Sequence, residues 1–193
     1  MSLPPPVRRA DKALSEDEAR ALLAAGHSGR LATIGPDGWP YCVPLLYVWM
    51  MGEIWVHNTA ARGHLRRNVE HEARVAFEID APGEVFAYGR FECDSSLAYQ
   101  SVIAFGRIRV VEDRTAKQRF CEALLTKYHR PEWEEPAAAR PQGFFPRLDL
   151  ITVYSIALER VTGKETPLPT LAERWPAKDM TKTPNAKPRL EAS

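Results

Sequence analysis

Apolar residues fall along this chain in short runs. Residues 29–34 contribute Leu31, Thr33 and Ile34, and Pro36-Asp37-Gly38 follows with the chemistry of a turn: a proline to preset φ and a glycine to take positive φ. Residues 40–50 are then apolar on both faces of an extended chain. One face carries Tyr41, Val43, Leu45, Tyr47 and Trp49; the other carries Cys42, Pro44, Leu46, Val48 and Met50. That pattern predicts a strand buried on both sides. Pro44 has no N–H for a ladder, so the strand is expected to be bulged or on an edge there, a natural place for a ligand. Met51-Gly52 turns into a third strand over 53–57. Further strands are expected at 73–80, 85–93, 101–112 and 148–159, with a turn at Ala81-Pro82-Gly83-Glu84. Gly106 inside 101–112 predicts a bulge or a close backbone approach.

Helical spacing is confined to three places. Ser15-Glu16-Asp17-Glu18 is a capping-box pattern; with Ala19, Leu22, Leu23 and Ala24 it predicts a helix over 15–25, stopped at Gly26. Thr115–Tyr128 places Phe120, Leu124 and Tyr128 on one stripe. A turn or two of helix is expected from near Ala61 to about Asn68. Residues 131–147 hold four prolines and read as a loop or broken helix. Short strands in series with few helices predict a mainly β fold, an antiparallel barrel or sandwich with peripheral helices. The core lacks strand–helix–strand alternation, which argues against a Rossmann-type sheet. The expected organisation is a flexible segment over 1–14, marked by Pro4-Pro5-Pro6, one domain over 15–164, and a polar, proline-rich tail over 165–193.

Composition narrows the function classes. With 193 residues, 45% apolar, 26% charged and a net charge of +1, the chain suits one ordinary globular domain with no global basic surface for nucleic acid. Cys42, Cys93 and Cys121 are widely spaced and form no CxxC, the pattern of reduced thiols in a cytoplasmic protein. No signal peptide is evident, and the longest apolar run, residues 43–51, is too short to span a bilayer as a helix.

Candidate chemistry centres on residues 57–68, His-Asn-Thr-Ala-Ala-Arg-Gly-His-Leu-Arg-Arg-Asn, between two apolar runs. Asn58 and Thr59 offer short polar groups, Gly63 allows close approach, and Arg62, His64, Arg66 and Arg67 offer cationic or hydrogen-bonding heads. A helix starting nearby would aim free N–H groups at the same point. Those residues suit a phosphate clamp; they also suit a solvated basic helix, and the stretch alone does not choose. Ser101 stands at the mouth of an apolar strand, as a ligand donor or an ordinary strand-end serine. His57, His64 and His71 have no carboxylate or cysteine at ligand spacing, so no metal site is expected. There is no GxSxG, P-loop or GxGxxG.

In combination these segments resemble a known family. Gly29-Arg30-Leu31-Ala32-Thr33, Asp37-Gly38-Trp39-Pro40, Val43-Pro44-Leu45, Trp55-Val56-His57-Asn58-Thr59, Gly63 through Asn68, Ala73 through Phe77, Tyr99 through Gly106 and Thr162-Gly163-Lys164 follow the order of the pyridoxamine 5′-phosphate oxidase-like split barrels. The resemblance is closer to their nitroimidazole-resistance (Nim-like) branch. It implies a six-stranded antiparallel Greek-key barrel, a homodimer, and FMN in a cleft between subunits. It places the phosphate at Asn58, Thr59, Arg62, His64, Leu65, Ser101 and Val102, and the ring along Val43, Pro44 and Leu45. Relatives commonly carry lysine or arginine where this chain has His64. His57 is the one side chain expected to act near the ring. The oxidase's own C-terminal substrate-binding motifs are missing, so oxidation of pyridoxamine phosphate is not expected. The implied activity is an FMN-dependent oxidoreductase, with NADH or NADPH as electron donor and a nitroaromatic or other small-molecule acceptor. The alternative is a non-enzymatic flavin- or haem-binding module. Neither nucleic acid nor membrane is an expected partner.

Overall fold

A computed structural model describes residues 6–88, 94–128 and 147–170. Its framework is one antiparallel sheet. In chain order the strands are β1 (Ala13–Leu14), β2 (Ser28–Ile34), β3 (Pro40–Met50), β4 (Glu53–Thr59), β5 (Arg74–Ala87), β6 (Ser95–Val111) and β7 (Ile151–Thr166). The sheet order is β1-β7-β4-β3-β2-β5-β6, and β6 pairs again with β7. The six long strands therefore close into a ring, and the two-residue β1 is an extra strip on β7. This is the expected six-stranded, mainly β barrel. Among the described residues three helices lie around it: α1 (Glu16–Ala25), α2 (His64–His71) and α3 (Arg114–Lys127).

Local chemistry explains most boundaries. The capping box forms: Ser15 Oγ accepts from the Glu18 N–H at 3.3 Å, and the Glu18 carboxylate accepts from the Ser15 N–H at 2.8 Å. Ala19 and Leu23 of α1 then join Leu31, Tyr47, Ile54, Val56, Phe77, Val102, Ala104, Tyr154 and Ile156 in the barrel core. α3 starts at an Asp113 cap and lies outside the barrel, where Phe120 and Cys121 pack on Val48, Trp55, Val111 and Val153. Asp113 accepts from the Ala116 N–H at 2.7 Å.

Several expectations are corrected. The turn at 81–84 is a bulge inside β5: pairing with β6 shifts register between Pro82 and Val85. β2 pairs with β5 only over Ala76, Phe77 and Glu78, so beyond them Pro82 has an unpaired side where its missing N–H costs nothing. β6 begins at Ser95 rather than 101. The last strand begins at Ile151, after a 3-10 turn at Leu148–Leu150, and runs to Thr166. Its extra length is held by β6 on one edge and β1 on the other. Residues 10–14, expected to be flexible, form a 3-10 turn and β1, because Ala13 and Leu14 pair with Lys164 and Gly163. The expected loop at 131–147, Cys93, and the tail beyond 170 lie outside the described residues, except for Arg147.

Pro44 is on an edge, as its missing N–H requires, and no bulge is needed. β3 pairs with β2 from Pro40 to Leu46 but with β4 only from Tyr47 to Met50. Below Tyr47 the two strands part. Val43 and Leu45 point into the barrel core. Cys42, Pro44 and Leu46 are exposed, so this half of β3 is not buried on both sides as the sequence pattern suggested.

Gly106 marks the second irregularity. Phe105 pairs with Arg160 and Gly106 with Leu158, leaving Glu159 as the extra residue on β7. A Cβ at Gly106 would stand 2.3 Å from the Ala157 carbonyl oxygen. Gly106→Ala is therefore expected to destabilise the fold by about 1–3 kcal/mol through overpacking. Gly63→Ala, where an added Cβ meets nothing within 4 Å, should stay within about 0.5 kcal/mol of wild type. Urea unfolding of the two variants checks both.

Candidate functional site at the fork of β3 and β4

The fork is built by the backbone. Pro44 pairs with Arg30 of β2, and with no N–H it can occupy only a non-hydrogen-bonded position of that antiparallel ladder. By alternation, the backbone N–H and C=O groups of Cys42 and Leu46, and the C=O of Pro44, face away from β2. They face the side from which β4 has departed. A row of backbone donors and acceptors thus lines the fork beside the half-buried side chains of Val43 and Leu45.

On the other prong, β4 continues past the fork through His57, Asn58 and Thr59, which pair with Val153, Thr152 and Ile151 of β7. Asn58 turns toward the barrel, and its Oδ1 accepts from the Tyr154 hydroxyl at 3.2 Å. Thr59 is exposed. The chain then crosses residues 60–63 into α2, which begins at His64, three residues later than expected. Its N-cap is Gly63, with no side-chain cap bond. The amides of the first turn are therefore uncapped by any side chain, an arrangement that favours an anion there. α2 is fastened to β2 by buried Asn68, whose Nδ2 donates to Thr33 Oγ1 at 3.0 Å.

The cations of this stretch are already shared out. Arg62 and Arg66 both bind Glu70, the latter at 2.7 Å, and the two guanidiniums hold the Glu70 carboxyl below its ordinary range. Arg62 remains largely exposed. Arg67 donates to His64 Nδ1 at 3.1 Å, which leaves the Nε2–H as the free donor of that ring. The His64 ring stacks on Tyr41 of β3, centroids 5.7 Å apart at 27°. That stack joins the two halves of the predicted site, the 57–64 loop and the Val43–Leu45 strand.

Not every predicted residue meets there. Leu65 and Val102 bury their side chains in the core, so only their backbone can face a ligand. Ser101 pairs with Asp80 of β5 and Lys164 of β7. Within one protomer it is separated from Pro44 by β2 and β5. Along β7, Lys164 is twelve residues from Thr152, the partner of Asn58. Ser101 instead lines a cavity of about 240 Å³ with Ile103, Phe105, Thr162 and Lys164, roofed by residues 6–9. His57, His64 and His71 diverge, and among the described residues no group of three or more potential ligands could hold a metal.

His57 stands at the apex of the fork, one residue beyond the last β3–β4 pair, Tyr47 with Val56. Its ring packs against Phe120 of α3, centroids 5.5 Å apart, and Nδ1 is buried without a hydrogen-bond partner. Burial pushes its pKa below the ordinary histidine value. Sequence reasoning gave no role to Tyr154 or Glu70; Tyr41 was legible only as one of several aromatics that could wall a planar cofactor, and Asn68 only as the end of the 57–68 stretch. For Tyr154 and Glu70, only the Arg66–Glu70 spacing of four on one helix was a readable signal. The depressed pKa of His57 has a consequence for stability. The unfolded chain binds its proton near pH 6.5 while the folded protein resists it, so this contribution is complete above that pH. It is lost as pH falls toward the lower folded value, at up to about 1.4 kcal/mol per pH unit. In urea unfolding between pH 7.5 and 5, His57→Gln should show a shallower loss of stability than wild type.

No curated protein sequence matches the chain. Among solved structures, a candidate 5-nitroimidazole antibiotic resistance protein from Bacteroides thetaiotaomicron superposes with a TM-score of 0.62 at 14% identity, over 79% of this chain and 85% of its own. The flavocytochrome Anf3 from Azotobacter vinelandii gives 0.68 at 18%, over 86% and 76%. A FAD-binding protein from Mesorhizobium loti gives 0.55 at 25%, over 80% and 97%. The first two likenesses establish the shared fold. The pyridoxamine 5′-phosphate oxidase family matches residues 15–165, which span the closed ring of six strands, the fork and α2; the chain belongs to that family.

Proposed function

We propose that the fork binds FMN and that the protein is an FMN-dependent oxidoreductase. The observation that carries this reading is the backbone edge at Cys42, Pro44 and Leu46, set beside the uncapped start of α2. A flavin needs an apolar slot for its ring, backbone hydrogen-bonding groups along the ring's polar edge, and donors for its phosphate. Val43, Pro44 and Leu45 would flank the ring. Asn58, Thr59, the exposed Arg62, the His64 Nε2–H and the first-turn amides of α2 would hold the phosphate. The 25%-identical relative from Mesorhizobium loti, a FAD-binding protein, supports a flavin.

When bound, FMN would supply the redox chemistry, a two-electron exchange between a nicotinamide donor (NADH or NADPH) and a small acceptor such as a nitroaromatic. The chain's own residues bind and orient it. His57, packed against Phe120 one residue beyond the last β3–β4 pair, would fix the local polarity at the apex rather than relay protons to bulk water.

A second copy of the chain completes the site in this reading. Leu46 is 42% exposed on the outer face of the sheet, beside exposed Pro44 and Cys42, and Ile103 is 39% exposed on the same face beyond two intervening strands, across the Arg30–Glu78 ion pair. Homodimerisation through that face would cover both apolar positions together with the ion pairs of Arg30 with Glu78 and Asp80 between them. It would also let Ser101 and the backbone of Val102 reach the partner's phosphate, which one protomer cannot achieve.

The visible spectrum of the purified protein and chromatography of the released cofactor test the reading. A flavin spectrum with FMN released is the expected result; a Soret band, or a colourless protein that refuses FMN, overturns it. Anaerobic mixing with NADH or NADPH and a nitroimidazole should show acceptor-dependent reoxidation, which a passive binder would lack. His64→Ala should weaken FMN binding about tenfold, the loss of one hydrogen bond worth about 1–1.5 kcal/mol, with an unchanged far-UV spectrum. Leu46→Asp should yield a folded monomer with poor FMN retention in light scattering and cofactor titration.

A further inference from the structure

The last turn of α3 grips β3 at the residue where that strand changes neighbours. Ser28–Leu46 is the final β2–β3 pair and Tyr47–Val56 the first β3–β4 pair, so Tyr47 is the hinge of the fork. Its side chain is immobilised: the ring is fully buried against Phe77, and the hydroxyl donates to the Leu23 carbonyl of α1. Its backbone, having run off the end of β2, has no strand partner there. Two side chains of α3 take the place of one. The Tyr128 hydroxyl accepts from the Tyr47 N–H at 3.2 Å, and Lys127 Nζ donates to the Tyr47 carbonyl at 3.0 Å while lying 3.8 Å from the centre of the Tyr47 ring.

Proton counting makes this a coupled device. The Tyr128 hydroxyl has one proton and lies within hydrogen-bond reach of two carbonyls, Tyr47 at 2.9 Å and His27. Lys127 supplies the Tyr47 carbonyl from its own amine, which leaves the Tyr128 proton for His27. Tyr128 then ties the α1–β2 connection to β3, reinforced by an edge-on contact between its ring and that of His27, centroids 5.2 Å apart. Without Lys127 one proton must serve two acceptors, and one of the two ties is lost.

We propose that Lys127 and Tyr128 are positioning residues for the ligand in the fork: by fixing the Tyr47 backbone they set where the Cys42–Leu46 edge lies. The inference rests on the flavin reading of that edge. Both residues act through β3, and neither belongs to the set assigned to hold the cofactor.

The test uses the full chain, with Tyr128→Phe, which keeps the ring and removes the hydroxyl, Lys127→Met, the double variant, and Thr126→Ala as a control on the same helix. Hydrogen exchange of the amides of residues 46–48 reports the clasp. FMN titration and the visible circular dichroism of bound FMN report positioning. Each single variant is expected to speed exchange at Tyr47 and to weaken FMN about tenfold with altered visible dichroism, while Thr126→Ala changes nothing. The double variant should weaken FMN far less than the hundredfold product of the singles, because both residues serve one carbonyl. Lys127→Arg, which retains a donor, should recover most of the affinity. Faster exchange with unchanged affinity and dichroism reduces the pair to a structural role and overturns the proposal, as does unchanged exchange. A wild-type protein that takes up no flavin overturns the flavin reading and the positioning role together, while the exchange data still decide whether the clasp exists.

Discussion

A proline in the middle of an eleven-residue strand can hydrogen-bond to a neighbour on one side at most. Pro44 satisfies that constraint by pairing with Arg30 as a non-hydrogen-bonded pair and turning its donorless nitrogen away from β2. If β4 had remained alongside, the ladder on that side would have lacked a donor in its middle. Instead β4 leaves at Tyr47, and the barrel splits. Once the strands have parted, β4 is free to run on along β7 through Thr59 and deliver the chain to α2. The open backbone edge, the loop and the helix start all follow from that departure.

The fork must nevertheless be held at a definite width, and side chains do this rather than strands. On one prong the His64–Tyr41 stack ties the start of α2 to β3, and Asn68 ties the same helix to Thr33 of β2. On the other, Tyr154 ties Asn58 back to β7. At the apex, α3 covers His57 with Phe120 and clamps Tyr47 with its last turn. Each is a single polar or aromatic contact in place of a ladder of backbone bonds. The fork is thus held by scattered side-chain contacts where most of the ring is held by strand pairing, a distribution of stability that suits a binding site.

How much of this could be read in the sequence depended on whether a feature is local. The capping box of α1, the edge at Pro44 and the bulge at Gly106 were legible because each follows from one residue's covalent limits. The turn expected at Ala81–Glu84 was misread because proline and glycine also mark bulges, and only the long partner strand β6 decides between the two. The outer face of β3 read as buried because Cys42, Pro44 and Leu46 are apolar; apolarity marks a surface to be covered and does not say whether the cover is this chain or another. Glu70 was passed over although its spacing to Arg66 was plain. Lys127 and Tyr128 could not have been found, since their partner is the backbone of a residue eighty positions away.

Ser101 shows where family order and single-chain geometry part company. The order of motifs along the chain groups Ser101 with the His57–Arg67 loop as one phosphate site. The register of β7 separates them by the strand's length, and the pairings through β2 and β5 separate Ser101 from Pro44 by two intervening strands. No side-chain rotation closes such a gap, because the closed ring of strands fixes both positions. Only two geometries satisfy both the grouping and the register: the sites are distinct, or the two segments come from different copies. The proposed homodimer corresponds to the second. Ser101 and Ile103 share the outer face with Pro44 and Leu46, across β2 and β5, so a two-fold contact there would set one protomer's Ser101 strand toward the other's fork. A second copy would account for two otherwise separate facts: exposed apolar residues on the outer face, and a serine far from its motif partners.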